Sequence, residues 1–341
     1  LGAIHTRRAT SLIGYLRELE EATEPLLAFR AKEPEEWSIW KERLRNRLTE
    51  LMALPKERVE LEPEVVEARD CDGYVREKVL YKTEGNFFLP AYLLKPKVSG
   101  EKPAVLALHG HGRGKVDVAG VYRDEIEYQR FIAPLNYDYG VQLVKRGYVV
   151  LAPDGRAFGE LASDGMNCTW LLTASMLLGK TVVGMRVWDA MRSIDYLEAL
   201  PEVDPDRIGC VGLSWGGTWT AYTSALDERI KAAIVSGYFS TFRDMLIERS
   251  CCPCQYLSGI RLYADFPDIV ALIAPRPLFI EYGSRDPLYT RSEVLKAYEK
   301  LRHVYGLLGC DDRLFLDIFE GGHMFSGRNS LPWLDKWLKG C

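Results

Sequence analysis

The sequence predicts an α/β fold, a mostly parallel central sheet with helices on both faces. Short, continuous apolar runs of strand length recur from Ala104 onward, and segments with helical spacing separate them. Runs of that kind read as parallel strands covered on both sides, because a strand with one wet face would alternate apolar and polar residues. Long excursions at 113–136, 158–183 and 238–268 interrupt this alternation. In open α/β sheets the pocket walls are built beyond the carboxyl ends of the strands, so these insertions are the expected walls.

Taken in order, residues from Ser11 to Leu54 carry apolar positions at helical spacing. Leu12, Tyr15, Leu16 and Leu19 lead to Trp37, Trp40, Leu44 and Leu48, with Pro25, Pro34 and Pro55 dividing the stretch into segments. A helix that exposed two tryptophans would be a liability, so this stripe is expected to dock on the main domain. The predicted organisation is an N-terminal helical extension over 1–62 and a catalytic domain over 63–341. Val75–Tyr81 and Phe87–Leu94 flank Gly85-Asn86 and predict an antiparallel hairpin. The parallel strands then follow as Ala104–Leu108, Gly147–Ala152, Arg207–Val211, Ala232–Ser236, Pro277–Tyr282 and Leu314–Phe319. Helices are expected between them at Tyr139–Arg146, Gly184–Leu200 and after Gly216, with a last one at Leu331–Leu338.

The chain has 341 residues, 47% hydrophobic and 27% charged, with a formal charge of -4. Near-neutral charge and the lack of a basic stripe interleaved with aromatics argue against a nucleic-acid partner. No apolar run is long enough to span a bilayer, and Leu1–Ser11 lacks the apolar core of a signal peptide. The expectation is therefore a cytoplasmic protein without a membrane partner, with homo-oligomer formation left open. Cysteines stand at 71, 168, 210, 251, 252, 254, 310 and 341, spacings unlike a secreted disulfide framework. The Cys251-Cys252-Pro253-Cys254 cluster is read as reduced thiols shaping a loop. No second Cys/His pair follows it nearby, so no metal is expected.

Gly212-Leu213-Ser214-Trp215-Gly216 is a G-x-S-x-G pentapeptide set between a strand-like and a helix-like segment. A serine hydroxyl is a poor nucleophile, so it must be held on a sharp turn where a base can reach it. Glycines leave room for that turn, and the following helix aims free N–H groups at a developing oxyanion. Ser214 is thus the candidate nucleophile, and the Trp215 amide is one expected oxyanion donor. Of the histidines, His323 stands after the last strand and before the last helix, where its loop opens at the same sheet edge as Ser214. It is the candidate base, so activity should rise with pH as its imidazole becomes neutral. His5 is terminal, His303 lies in a helical stretch, and His109 is read as a packing and hydrogen-bonding residue of its loop. Asp286, just past the strand ending at Tyr282, is the candidate orienting acid. Asp317 points from within a strand, Glu320 adjoins the base's own turn, and Asp265 and Asp268 precede a helix-like run, so each suits the role less well. The second oxyanion donor is expected from His109-Gly110-His111-Gly112, with the His111 amide favoured and Gly112 next.

The ordered set Leu108–Gly112, Ala152–Glu160, Gly212–Gly217, Gly283–Pro287 and Gly322-His323 resembles the α/β-hydrolase superfamily, specifically the dienelactone-hydrolase and acetyl-xylan-esterase-like group. The resemblance covers about Val65 to the C-terminus, and the order Ser, Asp, His is that of these hydrolases. It implies an α/β-hydrolase fold and cofactor-independent hydrolysis of small or short-acyl esters, acetylated sugars among them, through an acyl-enzyme. Dienelactone hydrolases proper use cysteine as nucleophile, so serine here argues for simple esters. The alternatives weighed are a prolyl-oligopeptidase-like peptidase, against which the short N-terminal region speaks, and a non-catalytic binding protein on the same scaffold. Gly112, Arg113 and Arg156 are candidate substrate contacts. Arg113, Lys115 and Arg156 together would suit an acidic or sugar-bearing substrate, although Arg156 pairing with a neighbouring carboxylate is the more ordinary arrangement. Arg186, Asp189 and Arg192 read as a surface or inter-helix charge network, and Trp170, Trp188 and Trp219 as core.

Overall fold

The computed structural model describes residues 11–340. Two helices come first, α1 (Leu12–Ala22) and α2 (Pro34–Met52). Three strands follow, β1 (Glu64–Cys71), β2 (Tyr74–Glu84) and β3 (Phe87–Pro96), and then β4 (Lys102–Leu108). The alternating part continues through α3 (Lys115–Val118), α4 (Tyr139–Lys145), β5 (Val149–Pro153), α5 (Cys168–Leu177), α6 (Val182–Glu198), β6 (Val203–Leu213) and α7 (Trp215–Leu226). It ends with β7 (Ile230–Ser236), α8 (Phe266–Ala271), β8 (Leu278–Gly283), α9 (Arg291–Leu307), β9 (Leu314–Phe319) and α10 (Ser330–Lys339). All nine strands share one sheet in the order β1-β2-β3-β5-β4-β6-β7-β8-β9. The pairs from β1 to β3, and β3 with β5, are antiparallel, while every pair from β5 to β9 is parallel.

Side chains alternate across a strand, so a run with no polar residue feeds two cores at once. Ala104, Leu106 and Leu108 of β4 join Val149 and Leu151 of β5 in a core shared with α2, α6, α7, α8 and α9. Val105 and Ala107, with Val150 and Ala152, enter the opposite core under α4 and α10. No single helix among the described residues is long and apolar enough to cross a membrane.

The two N-terminal helices behave differently. Trp37, Leu44, Leu48 and Met52 of α2 are buried in the larger core. Its carboxyl end is tied to α6, because the Thr181 hydroxyl that accepts from Gly184 N donates to the Met52 carbonyl at 3.0 Å. A Cβ on Gly184 would stand 1.9 Å from that carbonyl oxygen. Helix α1 departs from the expected docking, since none of its residues is buried and Leu12 is 81% exposed. Ion pairs hold it instead, Arg17 to Glu248 and Glu20 to Arg261, at the rim of an apolar groove lined by Leu16, Leu19, Phe242 and Leu246. Trp188 and Trp219 are core residues, whereas Trp170 is 52% exposed, although its neighbours Leu171 and Leu172 in α5 pack against the larger core. Of the surface or inter-helix network read for Arg186, Asp189 and Arg192, the surface half fails: all three are buried, against Arg156, Thr83 and Val59 among others.

The α2–α6 contact leaves no space for a methyl group. Gly184→Ala should lower stability by about 1–3 kcal/mol through overpacking. A shift in the denaturant midpoint at constant slope would show it, and an unchanged midpoint would refute the contact.

Candidate active site

Ser214 stands between β6 and α7 with φ 60° and ψ -124°, a conformation that costs a non-glycine residue energy and is held by its surroundings. The surroundings are visible. Its amide donates to the Ser236 carbonyl at the end of β7, at 2.8 Å. A Cβ on Gly212 would meet the Gly216 carbonyl oxygen at 2.2 Å, and one on Gly216 would meet that of Leu108 at 2.0 Å. The pentapeptide glycines are therefore required by backbone contact, both inside the turn and against the β4 loop.

Asp286 and His323 come together by the same device. A Cβ on Gly283, the last residue of β8, would be 2.1 Å from the Gly322 carbonyl oxygen. Beyond the strands, Ser284 N donates to Phe319 O and Arg285 N to Gly321 O, each at 2.8 Å, so the two loops leave the sheet side by side. His323 Nδ1 meets Asp286 Oδ2 at 2.7 Å, and Leu288 N donates to Asp286 Oδ1 at 2.9 Å. The carboxylate is fully enclosed, while the imidazole keeps 23% of its side-chain surface. Nδ1 is committed to the acid, which leaves Nε2 for a substrate-side proton. The ring packs at Gly237, where an added Cβ would lie 3.2 Å from His323 Cε1. Gly237 follows Ser236, the residue that accepts the Ser214 amide bond, so base and serine flank one short segment. The Ser214 hydroxyl is not hydrogen-bonded to His323 in this geometry. The competing carboxylates are used elsewhere: Asp317 by Asn329, Glu320 by Arg285, and Asp265 and Asp268 in the cap of α8.

The β4 loop is held from inside. Gly155 N donates to His109 Nε2 at 2.8 Å, so the proton sits on Nδ1, which donates to Gly110 O at 2.7 Å. Burial pushes His109 down to about 4, and the ring stays neutral. Asp117, buried in α3, accepts from the Arg113 amide at 2.8 Å and its Nε at 2.9 Å. The amides of His111 and Trp215 donate to no loop or turn carbonyl among the described residues. Tyr137, outside the sequence-based set, buries its hydroxyl against Gly110 without a hydrogen-bond partner.

The basic residues considered for substrate binding turn inward. Arg156 pairs with buried Asp189 through Nε at 2.8 Å and reaches Glu84 at 3.3 Å. Lys115 is buried between Asp154 at 2.6 Å and Glu160 at 2.5 Å. Arg113 pairs with Asp117 and lies over the rings of Tyr122 and Tyr128. Each of these three charges thus already has a carboxylate partner, the arrangement weighed above as the more ordinary one for Arg156. Gly112 is exposed beside them.

Two features escaped the sequence reading. Glu281, inside the apolar run of β8, is buried and accepts from Ser236 Oγ at 2.8 Å, Ser326 N at 3.1 Å, Gly327 N at 2.9 Å and Ser330 Oγ. It pins the chain just after His323, and burial raises its pKa against the pull of those donors. The second is a cluster of His111, Cys168, Cys252 and Cys254, whose donor atoms all lie within 4.8 Å of one another. No second Cys/His pair stands near the cysteine loop in sequence, but Cys168 and His111 arrive beside it from distant segments. Burial alone would push His111 down, but contacts with Cys168 and Cys252 raise it to about 9. A cavity of about 630 Å³ adjoins the cluster, lined by His111, Phe158, Asn167, Cys168, Thr169 and Trp170 among others.

With this geometry in place, comparison with known proteins settles the family. A model of the Abhydrolase family matches residues 4–304. The chain belongs to the Abhydrolase family. YtaP of Bacillus subtilis (strain 168), a protein designated a hydrolase, is 28% identical over 306 residues, covering 86% of this chain and 98% of YtaP. Among solved structures, BF1801 of Bacteroides fragilis NCTC 9343, described as an acetyl xylan esterase, superposes with a TM-score of 0.80 at 21% identity, covering 98% of this chain and 97% of that one. A glucuronoyl esterase from Solibacter usitatus gives 0.71 at 17% identity, with 94% and 99% covered. These likenesses confirm the α/β-hydrolase fold.

Removing the Glu281 carboxylate strands four donors, three of them buried. Glu281→Leu should cost about 3 kcal/mol or more, since each unsatisfied donor costs about 1–3 kcal/mol. Equilibrium unfolding measures it, and a loss within error of zero would contradict the assigned anchor.

Proposed function

We propose that the protein is a serine-dependent carboxylic ester hydrolase working through an acyl-enzyme. The observation that carries this reading is the His323–Asp286 bond at 2.7 Å, beside a serine held at positive φ. His323 Nε2 takes the Ser214 proton as Oγ attacks the ester carbonyl carbon. Asp286 fixes the imidazole with its proton on Nδ1 and stabilises the cation that forms. The carbonyl oxygen, now negative, is received by the amides of Trp215 and His111, donors already oriented before reaction. The tetrahedral centre collapses, the C–O bond to the leaving alcohol breaks, and His323 returns the proton to that oxygen. Water then repeats the sequence on the acyl-serine and releases the acid. No step calls for a cofactor.

On the alcohol side, the cavity next to His111 supports a sugar-bearing ester. It combines the exposed Trp170 ring and Phe158 with Asn167, Thr169 and Thr173, a mixture of apolar faces and short polar groups. The acetyl xylan and glucuronoyl esterases of the same fold favour the same substrate class. The inward pairing of Arg113, Lys115 and Arg156 favours an uncharged sugar over an acidic one.

Fluorophosphonate should label Ser214 covalently, and Ser214→Ala should lose both the label and at least about 10³-fold in kcat. Asp286→Asn should keep the fold and lose about 10³–10⁴-fold in kcat. Persistent labelling of Ser214→Ala would place the nucleophile elsewhere, and faster cleavage of a matched amide than of its ester would indicate a peptidase.

Trp170→Ala should raise KM for acetylated xylo-oligosaccharides by about tenfold, the equivalent of about 1.4 kcal/mol, and leave p-nitrophenyl acetate unaffected. Equal effects on both substrates would remove the cavity from the sugar site.

A further inference from the structure

His111, Cys168, Cys252 and Cys254 come from three separate parts of the chain. His111 is on the β4 loop, Cys168 opens α5 in one insertion, and the other two cysteines lie in the next. Nothing in the proposed ester chemistry uses their side chains. We propose that these four residues bind one zinc ion, which ties the β4 loop to both insertions.

The donor set is the first argument. Three thiols and one imidazole nitrogen form a Cys₃His set, a structural zinc arrangement with all four positions filled by protein. With Zn–S near 2.3 Å and Zn–N near 2.0 Å, a tetrahedral site has edges of about 3.8 Å between sulfurs and about 3.5 Å between sulfur and nitrogen. Cys254 Sγ lies 3.6 Å from His111 Nε2, on that scale, and no pair of donor atoms exceeds 4.8 Å. Cys252 and Cys254 are closer, at 3.1 Å between sulfurs, which a small χ1 adjustment opens; a disulfide would require about 2.05 Å. The seven cysteines described are all free.

Charge is the second argument, and it is independent of the first. Arg186 is fully buried, yet among the described residues no carboxylate pairs with it. Its guanidinium lies 4.1 Å from the Trp215 ring centroid, donates to the Arg156 carbonyl and stands 3.5 Å from Cys168 Sγ, with Nη1 unpartnered. A buried cation without a counter-ion is costly. Zinc with three thiolates and a neutral histidine carries one net negative charge, and it would sit where Arg186 needs an anion. The neighbouring basic side chains Lys115 and Arg156 each have a carboxylate.

This inference does not rest on ester hydrolysis, and its test does not read turnover. The full chain, produced without a histidine tag in zinc-supplemented medium, should contain about one zinc per chain by elemental mass spectrometry. Cobalt exchanged into it should show tetrahedral d–d bands and thiolate-to-cobalt charge transfer. Cys168→Ser and Cys254→Ser should reduce the bound zinc at least tenfold. His111→Cys, which preserves four ligands, should retain it, as should Cys71→Ser outside the cluster. Removing the metal with a chelator should lower Tm, and zinc but not magnesium should restore it. Wild-type protein holding less than about a tenth of an equivalent and taking up no cobalt would overturn the proposal. So would intact mass showing a Cys252–Cys254 disulfide, or unchanged zinc in both serine variants. If the serine variants do not fold, the wild-type stoichiometry, the cobalt spectrum and His111→Cys decide.

Discussion

The positive φ of Ser214 survives because backbone, not side chain, occupies the space around it. Gly216 lets α7 start against the Leu108 carbonyl, and Gly212 lets the turn close on Gly216 itself. The strain of one residue is thus balanced by contacts among β4, β6, β7 and α7, all of them rigid elements. The carboxylate and imidazole depend on the same kind of approach one step along the sheet, where Gly283 meets Gly322. Both contacts lie at the carboxyl ends of parallel strands, where loops from neighbouring strands emerge together. Precision at the candidate site comes from these backbone contacts, and side-chain hydrogen bonds complete it.

Around this frame the protein buries several charges, and their arrangement explains the shape of the walls. Asp154 accepts from Lys115 Nζ, the Lys115 amide and the Glu160 amide, joining the β4 loop to the turn after β5. Asp189 holds Arg156, and the carbonyl of Arg156 holds Arg186. A buried pair is a poor source of net stability but a strong constraint on geometry, because breaking it leaves an uncompensated charge. These pairs shape the loops around the pocket and leave little free charge to face a ligand.

The fold was legible in the sequence because its signals are local. Runs such as Ala104–Leu108 carry no polar residue, and their short length between turn residues marks them as strands covered on both faces. Ser214, Asp286 and His323 were legible because each follows a strand, and the end of a strand fixes which sheet edge a loop occupies. Signals that depend on long-range approach were not. Arg186, Asp189 and Arg192 read by their helical spacing as a surface or inter-helix charge network, yet they are buried against loop and strand residues, Arg156, Thr83 and Val59 among them. Leu12 and Leu16 looked like a docking stripe, yet ion pairs on the flanks of α1 hold it with that face half open. Glu281 did leave a trace, a carboxylate inside an apolar strand, which asks for buried donors. The four-residue cluster left only its cysteine loop in view, since 56 residues separate positions 111 and 168, and 83 separate 168 and 252.

That cluster bears on the β4 loop in a way spacing alone could not suggest. His111 was selected for its amide, as a donor to an oxyanion, and its ring meets Cys254. An ion held by the ring would restrain where His111 sits, and with it the loop that presents its amide. Preorganised donors stabilise developing charge because they need not reorient when it appears. His109 and Asp117 already hold the loop on either side of His111. A metal at the ring would fix His111 between them, coupling the insertions at 158–183 and 238–268 to the donor that the proposed chemistry uses.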